Sequence, residues 1–117
     1  MNMLNSLIIE GDVTKVTKIE DSRLDLVIAS KRLTKDCEGN PKEEVSNFEV
    51  KVFGQMASIC ERQATIGRGL RVVGRIKQET WFDGDELERS KVVIIAEHIE
   101  FKPKRPAKEL IEEEVKF

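Results

Sequence analysis

The chain has 117 residues, 39% of them hydrophobic and 36% charged, with a formal net charge of −2. That is enough sequence for one domain with an ordinary core, and no apolar run approaches the roughly 18 residues a membrane span needs. The faintly acidic balance argues against a grip on nucleic acid through bulk charge, but it leaves room for a local basic stripe.

The N-terminus "MNMLNSLIIEGD" lacks the basic start, long apolar stretch and small-residue cleavage site of a signal peptide. From Leu4 to Ile19 apolar residues recur mostly at spacing two, with a change of phase around Gly11, so a long first strand with a bulge or bend near that glycine is expected. "EDSR" reads as a turn. "LDLVIAS", Leu24 to Ser30, is a second strand rich in branched residues. "TKDCEGNPKEE", Thr34 to Glu44, is an acidic loop carrying Gly and Pro. "NFEVKVFG" alternates, with Phe48, Val50 and Val52 on one face and Asn47, Glu49, Lys51 and Phe53 on the other.

The period then changes. In "QMASICERQATI", Met56, Ile59, Cys60 and Ala64 recur at three or four, as on one face of a short helix that "GRG" ends. "LRVVGRIKQETWF" returns to period two: Leu70, Val72, Gly74 and Ile76 make one row, and Arg71, Val73, Arg75, Lys77, Glu79 and Trp81 the other. Asp83-Gly84 marks a hairpin, and "LERSKVVIIAEHIEF" is the return strand. A three-residue loop, Asp83 to Asp85, sets Trp81 opposite Leu87, Ile76 opposite Val92 and Gly74 opposite Ile94. It keeps apolar with apolar, which a two-residue turn does not, and is the register expected here. From Lys102 two prolines and basic residues lead into "AKELIEEEVKF", read as a linker followed by a marginal helix or loose tail.

The order is strand, strand, strand, helix, strand, strand. This is the arrangement of an all-β, five-stranded OB-fold barrel with one short helix between strands 3 and 4; a five-stranded antiparallel sheet with a helix over one edge has the same order. The barrel domain is placed at residues 1–102 and the charged tail or helix at 103–117.

The outward rows of strands 3 and 4 carry Lys51, Phe53, Arg71, Arg75, Lys77 and Trp81, so cations and rings interleave on a sheet surface. Aromatic faces accept unstacked bases, and nearby Lys and Arg pair with the phosphates. Glu49 and Glu79 share the row and oppose this. A Trp before a hairpin turn also packs across strands in many sheets, and an alternating charged row is also what any wet sheet face looks like. The pattern alone leaves both readings open. Cys37 and Cys60 have no metal-ligand spacing and are read as free thiols of a reducing compartment. The loop acids lack calcium-loop spacing, and His98 is the only histidine. No Gly-rich phosphate loop and no Ser or Cys nucleophile motif is present, so no catalysis, cofactor or metal is expected.

"NSLIIEGDV", "FEVKVFGQMASIC" and "GRGLRVVGRIKQETW", spread over Asn5 to Phe101, resemble bacterial single-stranded DNA-binding proteins. The resemblance implies an OB barrel, assembled as a homotetramer or dimer, that coats single-stranded DNA without sequence preference in replication, recombination and repair. It also implies a cytoplasmic, nucleoid-associated location away from membranes, and contact with replication or repair proteins. By position, Phe53 and Trp81 match two of the family's stacking aromatics. Lys51, Arg71, Arg75 and Lys77 would then meet phosphates, with Lys31 and Arg32 at the periphery. Asn47 stands where many members carry an aromatic. The family's long Gly-rich linker is missing, and Lys116 replaces the proline of its acidic tip. Those departures keep a second reading in view, a primosome-type OB module that binds other replication proteins.

Overall fold

The computed structural model describes residues 1–104. Five strands, β1 (Leu7–Glu20), β2 (Arg23–Lys35), β3 (Pro41–Phe53), β4 (Gly69–Phe82) and β5 (Glu88–Phe101), and one helix, α1 (Gln55–Gln63), follow in the expected order. The strands close into a barrel in the order β1-β2-β3-β5-β4, the OB-fold arrangement. The open-sheet alternative is thereby set aside. Most of the tail expected at 103–117 lies outside the described residues.

β1 closes the barrel by serving two neighbours. Its first half, Leu7 to Asp12, pairs with β4, and its second half, Asp12 to Glu20, pairs with β2. The change of phase read at Gly11 is a register shift three residues later, between Val13 and Lys15. Gly11 serves close approach instead: a Cβ there would stand 2.9 Å from the carbonyl oxygen of Ala29. Asn5 extends β1 by one step. Its side-chain amide donates to the Ile76 carbonyl at 2.8 Å and accepts from the Ile76 N–H at 3.0 Å, as a backbone would.

β2 and β3 run longer than their apolar alternation. They remain paired from Arg23↔Phe53 out to Lys35↔Pro41, so the loop expected over Thr34 to Glu44 shrinks to Asp36–Asn40. Asp36 holds it, its carboxylate accepting from the N–H groups of Glu38 and Asn40 at 2.9 Å. Backbone pairing carries polar strands past the core edge, which hydrophobic periodicity does not register.

The core joins Val13, Leu24, Leu26, Ile28, Val50, Val52, Leu70, Val72, Ile94 and Ala96 from the strands with Ala57, Cys60 and Ala64 from α1 and the residue that ends it. α1 thus plugs one end of the barrel. It begins after Gly54, whose φ of 70° suits a residue without a side chain. Its buried face is centred on Ala57 and Cys60, and Ile59, expected inward, is 40% exposed. A helix this short meets the barrel along one narrow line, so only residues on that line are covered.

The β4–β5 hairpin differs from the expected register by two residues. Phe82 faces Glu88, Trp81 faces Arg89 and Ile76 faces Ile94, which leaves a five-residue loop, Asp83 to Leu87. Asp83 builds that loop. Its carboxylate accepts from the Asp85 and Leu87 N–H groups and from Arg89 Nε at 2.7 Å, while its own N–H donates to the Leu87 carbonyl. A shift by two residues keeps every side chain on its expected face, and Ile76 still meets an apolar partner in Ile94, although Trp81 now faces Arg89 and Val92 faces Gln78.

Candidate nucleic-acid interface

β5 lies between β3 and β4. The two outward rows read from the sequence are therefore not adjacent but flank a third, that of Arg89, Lys91, Val93 and Ile95. The face begins at Phe53, next to α1, and ends at Trp81, next to the hairpin loop. At about 3.3 Å per residue the two rings stand on the order of 25 Å apart along the strands. Phe53 is 47% and Trp81 45% exposed, so both rings are open to solvent. Each has a cation above it. The Arg23 guanidinium is 5.8 Å from the Phe53 centroid, and Lys91 Nζ is 5.8 Å from the Trp81 centroid.

Between the rings, charges pair across the strands. Lys51 is only 7% exposed, and its Nζ donates to both carboxylate oxygens of Glu79 at 2.7 Å. Lys51 lies on β3 and Glu79 on β4, so this bridge spans β5. Lys91 on β5 reaches the other way, to Glu49 on β3, at 3.0 Å. Val93 lies in the row beneath and is 1% exposed, although it points out of the barrel. The hydrogen bond from Lys51 is the main reason the Glu79 carboxyl is held below its ordinary range, with Lys91 and Lys77 adding to the effect.

The eight residues singled out from the sequence are not all brought together. Trp81, Phe53, Lys51, Arg75 and Lys77 share the face. Arg75 and Lys77 are exposed and, among the described residues, carry no ion pair. Arg71 does not join them. It lies toward the other end of β4, with its guanidinium between Glu10 (3.5 Å) and Glu100 (3.3 Å). A long curved strand carries one row around the barrel, so shared parity does not bring Arg71 and Lys77 into one site. Lys31 faces Val45 and Arg32 faces Glu44 on the outer arm of the β2–β3 hairpin. Lys31 has the parity of the ring-bearing face and Arg32 the opposite one. Lys91, Arg89 and Arg23 were missed. The alternation "ERSK" at the start of β5, read across the hairpin, could have placed Arg89 beside Trp81.

A second surface lies past the end of β1. Leu7 is the last β1 residue paired to β4, facing Gly74, and beyond it only the Asn5 side chain continues the pairing, to Ile76. Phe48, Ile76 and Val92, expected inside or paired, instead line an apolar groove of about 340 Å³ with Leu7, Ile8 and Ile9. Ile8 is 70% and Val92 62% exposed.

The family model described as "Single-strand binding protein family" matches residues 4–102. The chain belongs to the single-strand binding protein family. Among its relatives there, the single-stranded DNA-binding protein of Helicobacter hepaticus is 28% identical over 110 residues, which cover 90% of this chain and 65% of that protein. The Aquifex aeolicus protein of the same name is 32% identical over 102 residues, 83% of this chain and 69% of its own length. The chain thus spans about two thirds of the relatives it matches. A solved structure of the Plasmodium falciparum SSB in complex with ssDNA superposes with a TM-score of 0.76 at 16% identity, over 88% of this chain and 98% of that one, a likeness of fold. Among the described residues, no helix is long and apolar enough to cross a membrane.

Proposed function

We propose that this barrel binds single-stranded DNA with little sequence preference, in replication, recombination and repair, by equilibrium association and without catalysis. One observation carries the reading: two half-exposed rings, Phe53 and Trp81, lie at the ends of one outer face whose middle bears Lys and Arg side chains. Rings receive bases of any identity, and cations that follow the backbone read no sequence. Family membership supports the same reading. Trp81 and Phe53 are assigned to stacking. Arg75 and Lys77 are assigned to phosphates, with Lys91 and Arg23 as further cations beside Trp81 and Phe53, and Lys31 to the periphery.

Self-association into a dimer or tetramer belongs to the proposal. The uncovered groove beside Leu7, Ile8 and Ile9 supports it, since apolar side chains past a strand end gain from a second subunit. The same groove supports the alternative of a module that docks other replication proteins. Residues 1–102 are taken as the binding domain, 103–117 as a tail, and the bacterial cytoplasm as the location. The test is a titration of the full chain with oligo(dT) of graded length, read by the emission of its only Trp. Strong quenching with a defined site size is expected. Unchanged emission together with no gel shift at low salt overturns the DNA reading and leaves the docking module.

A further inference from the structure

On the ring-bearing face, two cations are already taken by the protein's own acids. Glu79 offers both carboxylate oxygens to Lys51 Nζ, as a phosphate would, and Glu49 does the same for Lys91. Both acids project from the middle of the face and retain solvent access, whereas Lys51 is nearly covered. Lys51 cannot take a phosphate while Glu79 holds it, and Lys91 sits over the ring of Trp81, where a stacked base would come to lie.

We propose that Glu79 and Glu49 are internal stand-ins for DNA phosphate, holding Lys51 and Lys91 in the free protein and yielding them when a strand binds, so that Glu79 in particular limits affinity. This rests on the single-strand reading of the face. Its signature is in the salt dependence. A cation that meets a phosphate releases one condensed counterion and adds about 0.7 to the slope of log K against log salt for a single strand. A lysine that exchanges a carboxylate for a phosphate adds close to nothing, because the freed carboxylate stays beside the strand and restores there the negative charge that the lysine neutralised, so a counterion is retained. The wild-type slope then counts the unpaired cations alone.

The experiment is fluorescence anisotropy of a labelled oligo(dT) with the full chain over a range of sodium chloride, for wild type, Glu79→Gln, Lys51→Met and the double variant, each checked for folding by circular dichroism. Glu79→Gln is expected to tighten binding by about 3- to 10-fold at low salt and to steepen the slope by about 0.7. In the Lys51→Met background the slope gain should vanish. An unchanged slope in Glu79→Gln, with wild type binding normally, overturns the proposal and spares the DNA reading. An equal gain without Lys51 also overturns it, as general loss of negative charge. Wild type that fails to bind at all removes the DNA reading and this inference with it. Should Glu79→Gln not fold, Glu49→Gln puts the same question to Lys91.

Discussion

Gly74 on β4 lies against the backbone of Ile95 on β5 so closely that a Cβ on it would collide with the Ile95 carbonyl oxygen, with the Cα of Ala96 also within reach. The β4–β5 ladder shifts register between Val73 and Gly74, and the two small facing residues, Gly74 and Ala96, let the strands approach closely there. The obstruction is backbone, which cannot rotate away. Gly74→Ala should therefore cost about 3 kcal/mol or more in urea or thermal unfolding. Gly84→Ala, in open space at the hairpin loop, should change stability by no more than about 0.5 kcal/mol. Similar midpoints for the two variants would refute this account of the close approach.

Trp81 separates binding from folding. Its ring is half exposed and stands at the hairpin end, away from the core cluster. Trp81→Ala should weaken oligo(dT) binding by about 1–3 kcal/mol and leave unfolding within about 1 kcal/mol of wild type. Trp81→Phe should retain most of the affinity. A variant that melts early and binds normally would make the ring a packing element.

Lys77 and Arg71 share an outward row but not a site. Lys77→Ala is expected to lower the salt slope of binding by about 0.7. Arg71→Ala should leave the slope unchanged, since its guanidinium is engaged by Glu10 and Glu100. Equal effects would place the strand along the whole length of β4.

Acid should loosen the fold through named carboxylates. The Lys51 hydrogen bond keeps Glu79 below its ordinary value of 4.5. Arg89 and the loop N–H groups keep Asp83 below 3.8. A group whose folded value is depressed stabilises the protein above its unfolded value and loses that contribution as pH falls through the folded one. The melting temperature should thus be flat from neutrality to about pH 5 and fall below it. The fall should be shallower in Lys51→Met/Glu79→Met, which has no pair to lose.

The two thiols should differ sharply. Cys37 is exposed in the β2–β3 loop, whereas Cys60 is buried on the inner face of α1 and burial pushes it up to about 11. At mildly alkaline pH, dithiobis-nitrobenzoate should titrate one thiol quickly and the second at the rate of unfolding. Two fast thiols would show α1 to be loosely seated.

Alternation and its interruption were enough to read the strands, the helix and the two faces of β3 and β4, because side-chain parity is a local property of an extended chain. Parity, however, is blind to displacement by two. A three-residue and a five-residue loop put the same side chains on the same faces, and only the hydrogen bonds gathered by Asp83 choose between them. Nor does parity state which strand lies beside which. That β5 runs between β3 and β4 follows from closing the barrel, a long-range event, and it brings Lys51 of β3 onto Glu79 and Glu49 of β3 onto Lys91. The rings and charges available to the face were legible along the chain; which charges remain free to meet a ligand was decided by the closure of the sheet.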